Sequence, residues 1–141
     1  MSEKTVIRIN WTKPMMLEDA ITSLLFQQPG LYYITKLLYT REKSLYIGKS
    51  TYSVHDRLLE HSKKYEGQDI YLVRLGQIVK PEHPTEEILD KAESALIYMH
   101  GPIGKNILQD NIRKTCTCPG DMTYQIENTG DIFELAPIIL V

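Results

Sequence analysis

A chain of 141 residues, 43% apolar and 24% charged, has the size and composition of one soluble domain with a single core. Its net charge of −2 argues against a strongly basic duplex binder, and no apolar run approaches the ~18 residues of a membrane span. The opening Met1-Ser2-Glu3-Lys4 lacks the basic-then-apolar layout of a secretory signal, and two cysteines, Cys116 and Cys118, are too few for a disulfide framework, so the chain reads as cytoplasmic with reduced thiols and no membrane partner.

Val6 to Trp11 alternates and predicts a short strand. Leu17 to Phe26 carries apolar residues at 17, 20, 21, 24 and 25, a helical spacing that Pro29-Gly30 then breaks. Leu31 to Tyr39, rich in Tyr, Ile and Leu, predicts a strand. The polar Thr40-Arg41-Glu42-Lys43 is its turn and Ser44 to Gly48 its partner, which together make a hairpin. Ser53-Val54-His55-Asp56 reads as a capping box that opens a helix to about Tyr65, with Gly67 as its stop.

Ile70 to Val79 predicts a third strand with an irregularity at Gly76. A loop from Pro81 to Pro84 leads to a long helix, about Thr85 to Met99, ended by His100-Gly101-Pro102. Met122 to Glu127 and Ile132 to Val141 flank Asn128-Thr129-Gly130-Asp131, a hairpin turn by composition. The order is βαββαβα plus a C-terminal hairpin, a mixed α/β domain of the α+β sandwich type with residues 1–141 in one unit.

Charge is segregated along this chain. From Lys36 to Lys64 there are seven Lys/Arg and three acids, a net of +4. From Glu82 to Glu93 there are five acids and one lysine, a net of −4, and Asp121 to Val141 holds four acids with no Lys or Arg. Two tyrosine triplets go with the basic segment: Gly30-Leu31-Tyr32 just before it and Tyr46-Ile47-Gly48 within it.

Those triplets are followed by residues suited to phosphodiester hydrolysis. Such a reaction must take a proton from water, stabilise charge on phosphorus and hold the substrate in line. Arg57 and His61 lie four apart on the first long helix and share a face, with Val54 and Leu58 on the adjoining buried side. The planar fork of arginine can donate two bonds to phosphate oxygens, and a histidine can orient water. Tyr32 and Tyr46 can aim their hydroxyls at one place, and a metal, Arg57 or Lys49 nearby can lower the ordinary phenol pKa near ~10.

Glu93 falls at the edge of an apolar stripe formed by Ile88, Ala92, Ala95, Leu96 and Met99, where a carboxylate can reach a cleft. One carboxylate with waters is a normal way to hold Mg²⁺. Gly30 and Gly48 permit close backbone approach, Lys49 and Ser50 can meet a phosphate, and Asn106 can brace the Glu93 helix. Cys116-Thr117-Cys118 lacks the four ligands and spacing of a zinc site.

The ordered set Gly30-Leu31-Tyr32, Leu45-Tyr46-Ile47-Gly48-Lys49-Ser50, Arg57-Leu58-Leu59-Glu60-His61, Ala92-Glu93 and Asn106 resembles the GIY-YIG nuclease superfamily over residues 28–107. Leu31 stands where isoleucine is usual. The resemblance implies a small central antiparallel sheet flanked by helices, with residues 1–27 as an N-terminal strand and helix and 108–141 as a C-terminal extension. It implies divalent-metal-dependent DNA cleavage, with Mg²⁺ or Mn²⁺ on Glu93. Tyr32 matches the general base, Tyr46 a phosphate contact or helper, Arg57 the charge stabiliser, His61 its companion one turn on, and Asn106 a support. The resemblance is to a stand-alone catalytic domain, and the acidic tail is not expected to carry a DNA-binding motif.

Two other functions fit the same residues. One is a nucleic-acid-binding module that does not cut. The other is an accessory subunit or homodimer that buries the apolar end Leu135-Ala136-Pro137-Ile138-Ile139-Leu140-Val141 against a partner.

Overall fold

The computed structural model describes residues 3–65, 69–103 and 116–141. Its strands are β1 (Thr5–Trp11), β2 (Met15–Met16), β3 (Gly30–Leu38), β4 (Arg41–Ser50), β5 (Ile70–Lys80), β6 (Tyr124–Gly130) and β7 (Ile138–Leu140). The helices are α1 (Leu17–Ala20), α2 (Val54–Lys64) and α3 (Glu86–Tyr98), and α3 continues into a wider turn over Met99–Ile103. All strands join one sheet in the order β4-β3-β5-β1-β6-β7, with the short β2 also paired to β5. This is a mixed α+β fold.

The central position of β3 explains its sequence. Residues Gly30 to Thr35 are all buried, so this segment is covered on both faces and reads as a continuous apolar run. Successive side chains leave opposite faces. Leu31 and Tyr33 pack with Ile47, Trp11 and the α3 residues Leu89, Ala92 and Leu96. Tyr32 and Ile34 pack on the other face with Val54 and Leu58 of α2, Leu17 and Ala20 of α1, and Leu75. The sheet thus has an α2 face and an α3 face, and the tyrosine motif has one residue on each.

Several local expectations change. The helix expected over Leu17 to Phe26 ends at Ala20, and only a short 3-10 turn follows at Leu24–Phe26. Thr22 Oγ1 donates to Asp19 O at 3.0 Å, and Ser23 Oγ accepts from the Leu25 N–H at 3.2 Å. These side chains compete with the helical ladder and stop it. The β3–β4 turn is tighter than its polarity suggested. Leu38 pairs with Arg41, leaving a two-residue turn in which Tyr39 adopts a left-handed φ of 58°.

The capping box does not form: Ser53 precedes α2 but its side chain makes no cap bond, and its N–H donates instead to Ser50 Oγ at 3.1 Å. Gly67 lies outside the described residues. No irregularity occurs at Gly76. The register shift of β5 falls between Ile78 and Lys80, opposite Ile9 and Arg8. Gly76 is needed for another reason, since a Cβ there would lie 2.7 Å from the Trp11 ring.

The C-terminal segment differs most. Asn128 to Gly130 is not a turn but the end of β6, which runs parallel to β1 with Gly130 beside Trp11. The sheet is therefore not wholly antiparallel. Trp11 Nε1 donates to Asn128 Oδ1 at 2.9 Å, and Asn128 Nδ2 donates to Ala136 O at 2.8 Å. The buried amide has a partner at each end, which holds the strand straight through a sequence of turn formers. The chain reverses over residues 131–137, and β7 then pairs antiparallel with β6. Leu135, Ile139 and Val141 join the core, whereas Ile138 and Leu140 point outward.

Candidate active site

Four expected residues converge on the α2 face. Tyr32 and Tyr46 stack with ring centroids 5.9 Å apart, and the ring of His61 lies 4.5 Å from that of Tyr46. The Tyr32 hydroxyl is 2.9 Å from His61 Nε2. Arg57, one turn before His61, lies beside the same hydroxyl and also pairs with Glu60 at 3.2 Å. Its Nε is buried with no hydrogen-bond acceptor, a costly state for a cationic donor.

The second glycine motif follows from contact. Tyr32 and Gly48 face each other across β3 and β4, and the Tyr32 ring lies over the glycine. A Cβ on Gly48 would fall 2.3 Å from both Cζ and the hydroxyl oxygen. Only glycine lets the ring cross β4, which is the outermost strand on that side. The hydroxyl thereby lies over the β4 backbone, still buried. At Gly30 a Cβ would approach Gly76 O to 2.9 Å, which accounts for the first glycine.

Tyr32 is fully buried, and burial pushes its hydroxyl pKa up strongly. The nearby Tyr46 adds to this, while Arg57 acts in the opposite direction and does not win. Arg57 thus acts in the expected direction, but burial outweighs it and the phenol stays protonated at neutral pH. Any role as a base must pass its own proton onward, and His61 Nε2 is in place to accept it.

Glu93 belongs to the other layer. It lies inside the buried arc of α3 with Leu89, Ala92 and Leu96, not at the edge of the stripe, and is itself 9% exposed. That arc packs on the α3 face of the hairpin. Leu89, which the sequence reading left out, is more buried than Ile88. The two layers meet around the end of β4. Gly48 lies under Tyr32 on one face, and Lys49, next in the chain, reaches Asp90 Oδ1 at 3.7 Å on the other. Glu93 follows Asp90 by one helical turn. Ser50 Oγ is engaged by the Ser53 N–H at the start of α2. Asn106 lies outside the described residues.

The divalent ion implied by the resemblance can be tested against these donors. Among the described residues, no three His, Cys, Asp or Glu side chains gather as a metal cage. The chemistry present is one buried carboxylate, Glu93, with a second on the same helix face held by Lys49. Such a set suits a cation that keeps most of its waters and takes phosphate oxygens from a substrate. Mg²⁺ or Mn²⁺ fits in that limited sense.

A second polar cluster escaped the sequence reading. Arg74, 2% exposed in the middle of β5, forms a two-pronged ion pair with Glu42 and donates through Nε to Asp131 Oδ1 at 3.0 Å. Thr35 Oγ1 donates to Glu42 Oε1 at 2.5 Å. Burial pushes the Glu42 carboxyl up, but the bonds from Arg74 and Thr35 outweigh this and leave it below its ordinary value. The signal was Arg74 itself, a lone cation within an apolar strand run.

Comparison with models of known protein families, with curated proteins and with solved structures returns no match. No helix among the described residues is long and apolar enough to cross a membrane.

Proposed function

We propose that this protein is an endonuclease that hydrolyses DNA phosphodiester bonds with a water nucleophile, supported by a divalent cation. The observation that carries the proposal is the Tyr32 hydroxyl, hydrogen-bonded to His61 and flanked by Arg57, over the bare Gly48 backbone. A buried structural tyrosine needs one partner for its hydroxyl, but not an imidazole and a guanidinium at the same point.

In this reading Arg57 turns its fork onto the scissile phosphate and stabilises the charge that develops on its oxygens. The Tyr32 hydroxyl accepts a proton from the attacking water as it gives its own to His61 Nε2. The water oxygen bonds to phosphorus while the bond to the leaving oxygen breaks, and solvent protonates that oxygen. Tyr46 holds the imidazole by ring contact and lends its hydroxyl to the phosphate. Lys49 adds positive charge at the edge of β4. Glu93 would hold the cation, which would supply Lewis-acid stabilisation of negative charge on the phosphate.

Supercoiled plasmid incubated with Mg²⁺ or Mn²⁺ tests this. Nicking by the wild type that disappears with a chelator, and in Arg57→Ala, supports it. A DNA-binding module without cleavage is the competing reading, favoured by the position of Glu93 on the layer opposite Tyr32. DNA binding with no nicking under either metal selects that reading.

A further inference from the structure

The tyrosine cluster does not end at the candidate active site. From Tyr32 and Tyr46 the rings continue through His61 to Tyr65, 6.1 Å away and nearly parallel, and on to Tyr71 at 4.7 Å. The series crosses the α2 face from the outer strand β4, past the end of α2, to β5. Ammonium groups sit over its far members: Lys64 is 5.3 Å from the Tyr65 centroid, and Lys36 is 5.9 Å from that of Tyr71. Arg57 stands at its near end. The acids beside these cations are Glu60, paired with Arg57, and Asp69, paired with Lys36 at 3.2 Å.

A core-only role explains Tyr32 and Tyr65, which are buried. It does not explain why Tyr46, His61 and Tyr71 remain half-exposed along one line with cations at both ends. Beside Tyr65 and Tyr71 opens a cavity of about 260 Å³, with Met16, Leu17 and Ser62 among its walls. Glu18 and Asp69 also line it, so it disfavours a phosphate and suits the amino edge of a flat base.

The geometry points to a binding track for an unpaired DNA strand, running from the Tyr32–Arg57 centre past the half-exposed rings of Tyr46 and His61 to that of Tyr71, with the buried Tyr65 bracing His61 and Tyr71 from below. Aromatic rings accept the stacked faces of any base, and lysines follow the backbone. This deepens the nuclease reading and rests on it for the direction of the strand: the substrate has unpaired nucleotides next to the bond that is cut. Paired bases are closed to such rings, so the track selects against intact duplex.

Binding in the presence of a chelator separates the track from catalysis. Fluorescence anisotropy of a short labelled single strand of mixed sequence, against its duplex, should show tighter binding of the single strand. Tyr71→Leu keeps apolar bulk and removes the ring, and should weaken single-strand binding about tenfold, while Tyr71→Phe should bind as the wild type. Lys36→Gln with Lys64→Gln should flatten the salt dependence by roughly one unit of log–log slope or more. Equal binding by wild type and Tyr71→Leu, or tighter binding of duplex than of single strand, would overturn the track. Tyr71-dependent binding without any cleavage would leave the track standing and remove the nuclease reading.

Discussion

At Tyr32 a buried phenol, a histidine nitrogen and a guanidinium share one point, and each substitution there has a distinct outcome. Tyr32→Phe removes only the hydroxyl. Plasmid nicking should fall by about 10²–10⁴-fold, the usual worth of a positioned proton-transfer group, while urea denaturation should show a change of about 1 kcal/mol. Wild-type nicking by a folded Tyr32→Phe protein would remove this tyrosine from the chemistry. Gly48→Ala places a methyl group inside the Tyr32 ring and should cost about 1–3 kcal/mol of stability. Because the cost is the clash, it should largely vanish in a Tyr32→Ala background, and a double-mutant cycle in urea measures that coupling.

His100 gives a pH effect remote from the site. Its Nδ1–H donates to Leu96 O at 2.8 Å, and its Nε2 accepts from the Ala136 N–H at 2.9 Å, so the ring is neutral in the fold. Burial lowers its pKa below the ordinary value. The unfolded chain then takes up the proton first as pH falls. The contribution is complete above ~6.5, the unfolded value, and is lost as pH drops through the folded value. Denaturation at about pH 7.5 and about pH 5.5 should show this loss, and His100→Gln, although less stable, should show a smaller one. An equal loss in both proteins would place the pH dependence elsewhere.

The elements were legible in proportion to how local their causes are. The long hairpin and the two longer helices announce themselves through apolar runs and spacing, and the structure keeps them with shifted ends. What failed was set by partners distant in sequence. Thr22 and Ser23 cut the first helix, which has no long face to bury. Asn128 to Gly130 carries turn residues but becomes strand because β1 supplies a parallel partner and Trp11 a bond to Asn128. The four clustered site residues were named from sequence order alone, yet order could not tell that Glu93 sits on the other face of the sheet. Nor did it show the Arg74 cluster, whose members come from four separate segments. Glu42 bridges β4 to β5 across β3 through Thr35 and Arg74. Glu42→Ala strands a buried guanidinium and should destabilise by about 3 kcal/mol in urea. Glu134→Ala, exposed and 3.3 Å from Ser44, should change stability by less than about 1 kcal/mol. Similar costs at both positions would mean that the Arg74 cluster does not lock the strands.

For the whole molecule, the sheet turns a segregated sequence into two different surfaces. The α2 face carries Tyr46, Arg57, His61, Lys36 and Lys64, and so concentrates the basic stretch where an anionic strand can lie. Asp90 and Glu93, from the acidic stretch, sit on α3 behind β4, where Lys49 links the layers. On the α2 face Glu60 and Asp69 pair with two of its cations, so that face is mixed in charge rather than uniformly basic. In the nuclease reading proposed above, the two layers act on one phosphate at the edge of β4. The most direct test is divalent-metal-dependent nicking of plasmid by wild type and by Glu93→Ala, with folding of the variant checked by circular dichroism. The wild type should nick, and the folded variant should lose nicking by at least about a hundredfold. Full nicking by folded Glu93→Ala would remove Glu93 and its cation from the reaction.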